Sequence, residues 1–145
     1  MNRPTRLAFF AACTLLTTRL AHAEPSVDVQ TRCFQFADQP TKLMQWRLIA
    51  TQDGNEAAFV RYVGSKAWIP LVLTNRKRTP MADSDRSQDD TEWLEVVREQ
   101  PAGRYALSML GNEVVSLEYV DRKSGRRTAF ALAPTPRGVD PCAAR

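Results

Sequence analysis

Cysteine and histidine do most of the nucleophilic and metal chemistry of proteins, and this chain of 145 residues holds three cysteines and one histidine. Their positions remove most of that chemistry. Cys13 and His22 fall in a stretch with a basic start at Arg3 and Arg6, an apolar run over 7–16 (LAFFAACTLL) and a small-x-small cleavage signal at Ala21-His22-Ala23. That three-part pattern predicts a cleaved secretory signal peptide over residues 1–23. A transmembrane anchor needs about 20 uninterrupted apolar residues, and Thr17, Thr18 and Arg19 break the run, so no transmembrane span is expected. Phe10-Ala11-Ala12-Cys13 makes a poor lipobox, with Phe in place of the usual Leu and apolar residues after Cys13, which argues against a lipoprotein. Cleavage leaves Cys33 and Cys142, an even pair in an oxidising compartment, and predicts a disulfide between them. It leaves no imidazole, so Ser-His-Asp and Cys-His catalysis, His-ligated zinc and histidine pH switches are excluded by composition.

Carboxylates are the remaining chemical inventory. Asp83, Asp85, Ser87 and Asp89 occupy alternate positions of a calcium-loop pattern, but Gln88 stands where the turn glycine belongs and Glu95 comes one position late. No metal site is expected from them. Pairs such as Glu92 with Glu95, or Glu113 with Glu118, could serve glycosidase-like acid and base work, yet spacing alone gives neither a separation nor a perturbed pKa. The expectation is a protein without enzymatic activity or cofactor. The basic run Asn75-Arg76-Lys77-Arg78 could meet an acidic partner or a phosphate-bearing glycan, and its composition also suits a solvated loop. The formal charge of +4 counts Arg3, Arg6 and Arg19; without them 17 basic residues face 16 acidic ones, a net charge of +1. So small a charge cannot steer polyanions, and nucleic acid is not an expected partner.

The elements that must position any site follow a period of two. Hydrophobic residues at 43% and charged residues at 25% describe an ordinary globular chain. In Lys42 to Thr51 the residues Met44, Trp46, Leu48 and Ala50 alternate with Gln45, Arg47, Ile49 and Thr51, only Ile49 being out of pattern, and Asp53-Gly54 signals a hairpin into Glu56 to Val63. Further strands are read at 27–36, 67–73, 91–98, 104–110, 113–121 and 126–132, that at 67–73 carrying Pro70, which favours an edge or bulged strand. Gln100 to Gly103 is read as a turn. A short helix is the alternative for 91–99, capped by Asp90-Thr91. About eight strands joined by short turns predict an all-β domain over 24–145, a single small antiparallel β-barrel or sandwich. Core candidates are Trp46, Leu48, Phe59, Trp68, Val72, Tyr105, Leu107, Val115, Leu117, Tyr119 and Phe130. A charged loop over 74–90 and a Pro-rich tail over 133–145 lie outside the strands.

An export signal, an early and a very late cysteine, and about eight antiparallel strands between them resemble the small periplasmic C-type lysozyme inhibitors of bacteria. In that family a Ser-Gly-x-x-Tyr loop enters the lysozyme active-site cleft. The nearest counterpart is Ala102-Gly103-Arg104-Tyr105, which lacks the serine and has one residue fewer between Gly and Tyr. The 74–90 segment has no counterpart in the compact members. The resemblance implies partner binding through Gly103, Arg104 and Tyr105, with Arg104 facing catalytic carboxylates and Tyr105 an aromatic anchor. The plainer alternative puts Tyr105 in the core behind a hairpin turn. Together these readings predict a periplasmic or secreted binding protein, an inhibitor or immunity protein acting on a cell-wall hydrolase or toxin. An accessory role in an envelope or secretion assembly is the second expectation.

Overall fold

The computed structural model describes residues 26–82, 84–135 and 139–143. The predicted signal peptide, with Cys13 and His22, and Asp83 of the calcium-loop pattern lie outside the described residues. Eight strands follow one another: β1 (Val27–Phe36), β2 (Leu43–Thr51), β3 (Glu56–Tyr62), β4 (Ile69–Pro80), β5 (Ser87–Val97), β6 (Gln100–Leu110), β7 (Glu113–Asp121) and β8 (Arg127–Leu132). Each pairs antiparallel with its chain neighbour, and β8 returns to β1, so the sheet is a closed barrel and not a sandwich. Among the described residues no helix is long and apolar enough to cross a membrane.

Alternation decides which side chains fill the barrel. Phe34, Met44, Trp46, Ala58, Val60, Leu71, Trp93, Tyr105, Leu117 and Phe130 make the buried core. Trp46 meets Trp93 and Tyr105 edge-on, with ring centroids 6.0 and 5.6 Å apart, the arrangement aromatic quadrupoles favour. Phe59, Val72 and Val115, read as core, point outward, because β3 and β4 present Ala58, Val60 and Leu71 to the interior and a bulge at Val115 shifts the phase of β7. Trp68 stays half-buried on the outer surface, where the guanidinium carbons of Arg47 and Arg61 lie 4.4 and 4.8 Å from its ring centroid.

The strand read at 91–98 is borne out and its helical alternative is not: Thr91, Trp93 and Glu95 point inward from β5. Two further expectations are corrected. The 74–90 segment is not a loop, since β4 and β5 run through it and leave 81–86 as the connection. Its charges are strand charges, with Arg76 opposite Thr91, Lys77 opposite Asp90 and Arg78 opposite Asp89. This also places Ser87 and Asp89 in a strand, which removes the calcium-loop geometry their spacing suggested. The turn read at Gln100–Gly103 falls at Arg98-Glu99 instead, where φ values of 51° and 63° supply the left-handed pair of a tight hairpin turn.

Two seams are short. β3 meets β4 only at Ala58–Val60 against Ile69–Leu71, so Pro70 lies inside a closed barrel at one of its briefest ladders and not on an edge. β1 meets β8 only at Phe34–Phe36 against Phe130–Leu132. Beyond Leu132 the chain leaves the sheet, Pro134 having no N–H to give, and Cys142 joins Cys33 in a disulfide. That bridge ties the tail to the outer face of β1.

Candidate functional site: an arginine-lined barrel mouth

One end of the barrel opens into a cavity of about 260 Å³. Its floor is apolar, built from Trp46, Leu48, Trp93 and Leu107. The floor's polar atoms are satisfied locally: the Trp93 indole donates to Thr91 Oγ1 at 2.9 Å, and that hydroxyl donates to the Leu107 carbonyl at 3.3 Å. Above this floor the inward positions turn ionic. β1 contributes Gln30 and Arg32, β3 Glu56, β4 Arg76 and Arg78, and β5 Asp89.

These groups meet where two of the ladders, that of β3 with β4 and that of β8 with β1, have ended. β3 and β4 have already parted at the rim, and Arg76 reaches across to Glu56 with a two-pronged contact, Nη1 to Oε1 at 3.1 Å and Nη2 to Oε2 at 2.7 Å. The paired guanidinium and carboxylate hold the wall together by a charge-assisted fork. Glu56 chiefly, through that bond, raises the Arg76 pKa above its ordinary value. Asp89 stands between two cations, 3.4 Å from Arg76 Nε and 3.5 Å from Arg78 Nη2. Its Oδ1 is buried and accepts no hydrogen bond, because the Arg76 approach has the distance of an ion pair without the angle of a hydrogen bond. Among the described residues Arg32 has no carboxylate partner. The mouth therefore carries three guanidinium groups over two carboxylates, with a spare planar donor fork and a spare buried acceptor.

The segment expected to bind a partner is laid out differently. Gly103, Arg104 and Tyr105 are consecutive residues of β6, and a strand sends neighbours to opposite faces. Tyr105 is 0% exposed and lies in the core, its hydroxyl 2.7 Å from that of Tyr62, so it is not a surface anchor. Gly103 is buried beneath the Tyr119 ring. Arg104 is exposed on the outer wall, 3.5 Å from Glu92. The three cannot form one contact loop. Cys33 and Cys142, by contrast, are joined. Asp140 lies beside them, but cysteines spent in a disulfide offer no thiolate to a metal.

A second polar group sits at the other end of the interior. Glu95 is 4% exposed, accepts the Tyr119 hydroxyl at 2.7 Å and has no cation within ion-pair distance among the described residues. Burial pushes its carboxyl pKa up, against the lowering effect of the Tyr119 and Tyr105 hydrogen bonds. A folded-state value above the unfolded one means a stability contribution fully present below the unfolded carboxylate range and lost as pH rises through the raised value. Stability should therefore fall through this group as pH rises from the ordinary carboxylate range upward, and Glu95→Gln should flatten that fall. Urea midpoints across that range measure it; equal slopes in the two proteins would refute the assignment.

The mouth was not legible as a site, although part of its signal was there. Arg76 and Arg78 are two apart and share a face, though a bulge at Thr74 shifts them out of phase with the inward Leu71 and Leu73, while Asp89 continues the period of Thr91 and Trp93. Arg32 and Glu56 carry no local signal; only barrel closure brings them to the rim. No protein-family model, no curated protein and no solved structure matches this chain.

Proposed function

We propose that the chain is an exported binding protein that acts by contact with a protein partner, as a periplasmic inhibitor or immunity protein against a cell-wall hydrolase or a delivered toxin. The observation that carries this reading is the barrel mouth, where Arg32, without a carboxylate partner among the described residues, lines the same cavity as Arg76 and Arg78 over an apolar floor. Guanidinium forks bind carboxylates in a planar, directional way, and hydrolase clefts present carboxylates. A rigid barrel presents such a fork at low entropic cost.

Mixing the purified chain with a panel of lysozymes, peptidoglycan hydrolases and toxins tests the reading through inhibition and co-elution. Binding to at least one of them is expected, and Arg32→Glu should weaken it by about tenfold to a hundredfold, the range for reversing one member of a close charge pair. Lys123→Glu, in the β7–β8 turn at the opposite end, should leave affinity unchanged. No inhibition or co-elution anywhere in the panel would sink the reading, and full binding by Arg32→Glu would remove the mouth from it.

A further inference from the structure

The end of the barrel opposite the arginine-lined mouth carries four connections, 37–42, 63–68, 98–99 and 122–126. Together they hold six lysines and arginines against Asp38 and Glu99, whereas the turns at the mouth end, 52–55, 81–86 and 111–112, hold three aspartates against Arg86. The loops are therefore polarised along the barrel, and the far end attracts anions.

Two adjoining recesses open at that end, of about 400 and 380 Å³, with Phe36, Lys42 and Tyr62 common to both. Their walls are aromatic. Phe36, Tyr62 and Tyr119 are half-buried, and the Phe36 ring centroid lies 4.8 Å from that of Phe130 and 6.1 Å from that of Tyr62. Both tyrosine hydroxyls are engaged inside the barrel, that of Tyr62 at 2.7 Å from the Tyr105 hydroxyl and that of Tyr119 donating to Glu95 at 2.7 Å. Ring carbons are thus what these two residues offer to the recess. Polar groups surround the rings: Lys42 and Arg126 are exposed and have no carboxylate within ion-pair distance among the described residues. Asp121 supplies a carboxylate to the same wall, and the Ser124 hydroxyl and N–H, each 2.7 Å from its Oδ1, hold its pKa below the ordinary value.

Aromatic faces bordered by hydroxyl, amide and charged groups match the chemistry of a sugar, whose ring has an apolar face of C–H bonds and an edge of hydroxyls that donate and accept. A bilayer would need apolar groups at the loop tips, where this end has Asp38, Ser65 and Lys66. A chain of phosphates would meet the fixed charge of Asp121. We propose that this end of the barrel binds an acidic saccharide: a sugar ring lies against Phe36, Tyr62 and Tyr119, and a carboxylate on it reaches Lys42 and Arg126. Guanidinium and ammonium groups supply the charge-assisted bonds, and the rings supply the preference for sugar over other anions. The site is separate from the mouth proposed to meet a protein partner, and each stands without the other.

The test titrates the full exported chain with a galacturonic acid tetramer. Saturable binding is expected, weakened by about tenfold or more when the carboxylates are methyl-esterified, which keeps the sugar, and when polyacrylate of matching charge replaces it, which keeps the charge. Binding should also weaken as salt rises. Lys42→Glu and Arg126→Glu should each weaken it by about tenfold, and Arg86→Glu, in the 81–86 connection, should leave it unchanged. Phe36→Leu keeps an apolar side chain and removes the aromatic face, and should also weaken binding by about tenfold. If that variant fails to fold, the comparison of tetramer with polyacrylate decides the same question. Equal binding of polyacrylate, equal binding of the methyl ester, no saturable binding of the tetramer, or stronger binding of anionic vesicles or of single-stranded DNA would each overturn the proposal. Inhibition of a hydrolase should survive Lys42→Glu, which keeps the failure of one site distinguishable from that of the other.

Discussion

Replacing Cys33 and Cys142 together by alanine is expected to lower stability by about 4 to 5 kcal/mol, the loop-closure value for a bridge of this span. The two residues are 109 positions apart, so the bond removes more unfolded-chain freedom than any shorter link could. It also holds the tail over the outer face of β1: Cys142 is buried, Cys33 C=O accepts Ala133 N–H at 2.9 Å, and no strand follows to do the same work. Urea unfolding of the oxidised chain and of the double variant measures the difference. A loss below about 1 kcal/mol would show that the entropy of this loop is not what the bridge controls.

Gly103→Ala should be nearly as damaging, at about 3 kcal/mol, for a reason that has nothing to do with backbone freedom. Gly103 has no positive φ; what it has is a neighbour. A Cβ there would come within 2.2 Å of Tyr119 Oη and 2.3 Å of Cζ, far inside any real carbon contact. The ring would have to swing away and abandon Glu95, depriving a buried carboxyl of its Tyr119 donor. Tyr119→Ala removes the obstacle, so in that background Gly103→Ala should cost much less, and the two changes should be strongly non-additive. Equal costs in both backgrounds, read from denaturation midpoints, would refute the contact as the cause.

How much of this was written in the chain depends on whether a strand's inward positions are apolar. β2 was plain because Met44, Trp46 and Leu48 all face in. β5 was ambiguous because its inward series runs Asp89, Thr91, Trp93, Glu95: the period is right and three of the four residues are polar. The same polarity made β4 past Leu73 read as loop, since its inward residues there are Arg76 and Arg78, which line a wet mouth and not a dry core. The Arg98-Glu99 turn escaped notice because neither residue belongs to the types that favour positive φ. The cysteine pairing, by contrast, needed only counting. Of the site's ionic rim, sequence could supply the basic run and no more, because Arg32, Glu56 and Asp89 come to one rim with Arg76 only through the pairing and curvature of β1 to β5.

The closing seam also sets an order of events in time. Every pairing but one joins strands adjacent in the chain, and the hairpins they form are local objects that assemble in about 1–10 μs each. The exception, Phe34–Phe36 with Phe130–Leu132, brings together the two ends of the domain over three residue pairs. Its search cost grows with the length of everything between, while its reward is the smallest ladder in the barrel beside that of β3 with β4. Closure is therefore the slow, late event of folding, a latch fitted after the sheet has been laid down. Cys33 sits one residue outside that latch, so its bond to Cys142 holds the two ends of the domain beside the seam and shortens the search for closure once it has formed.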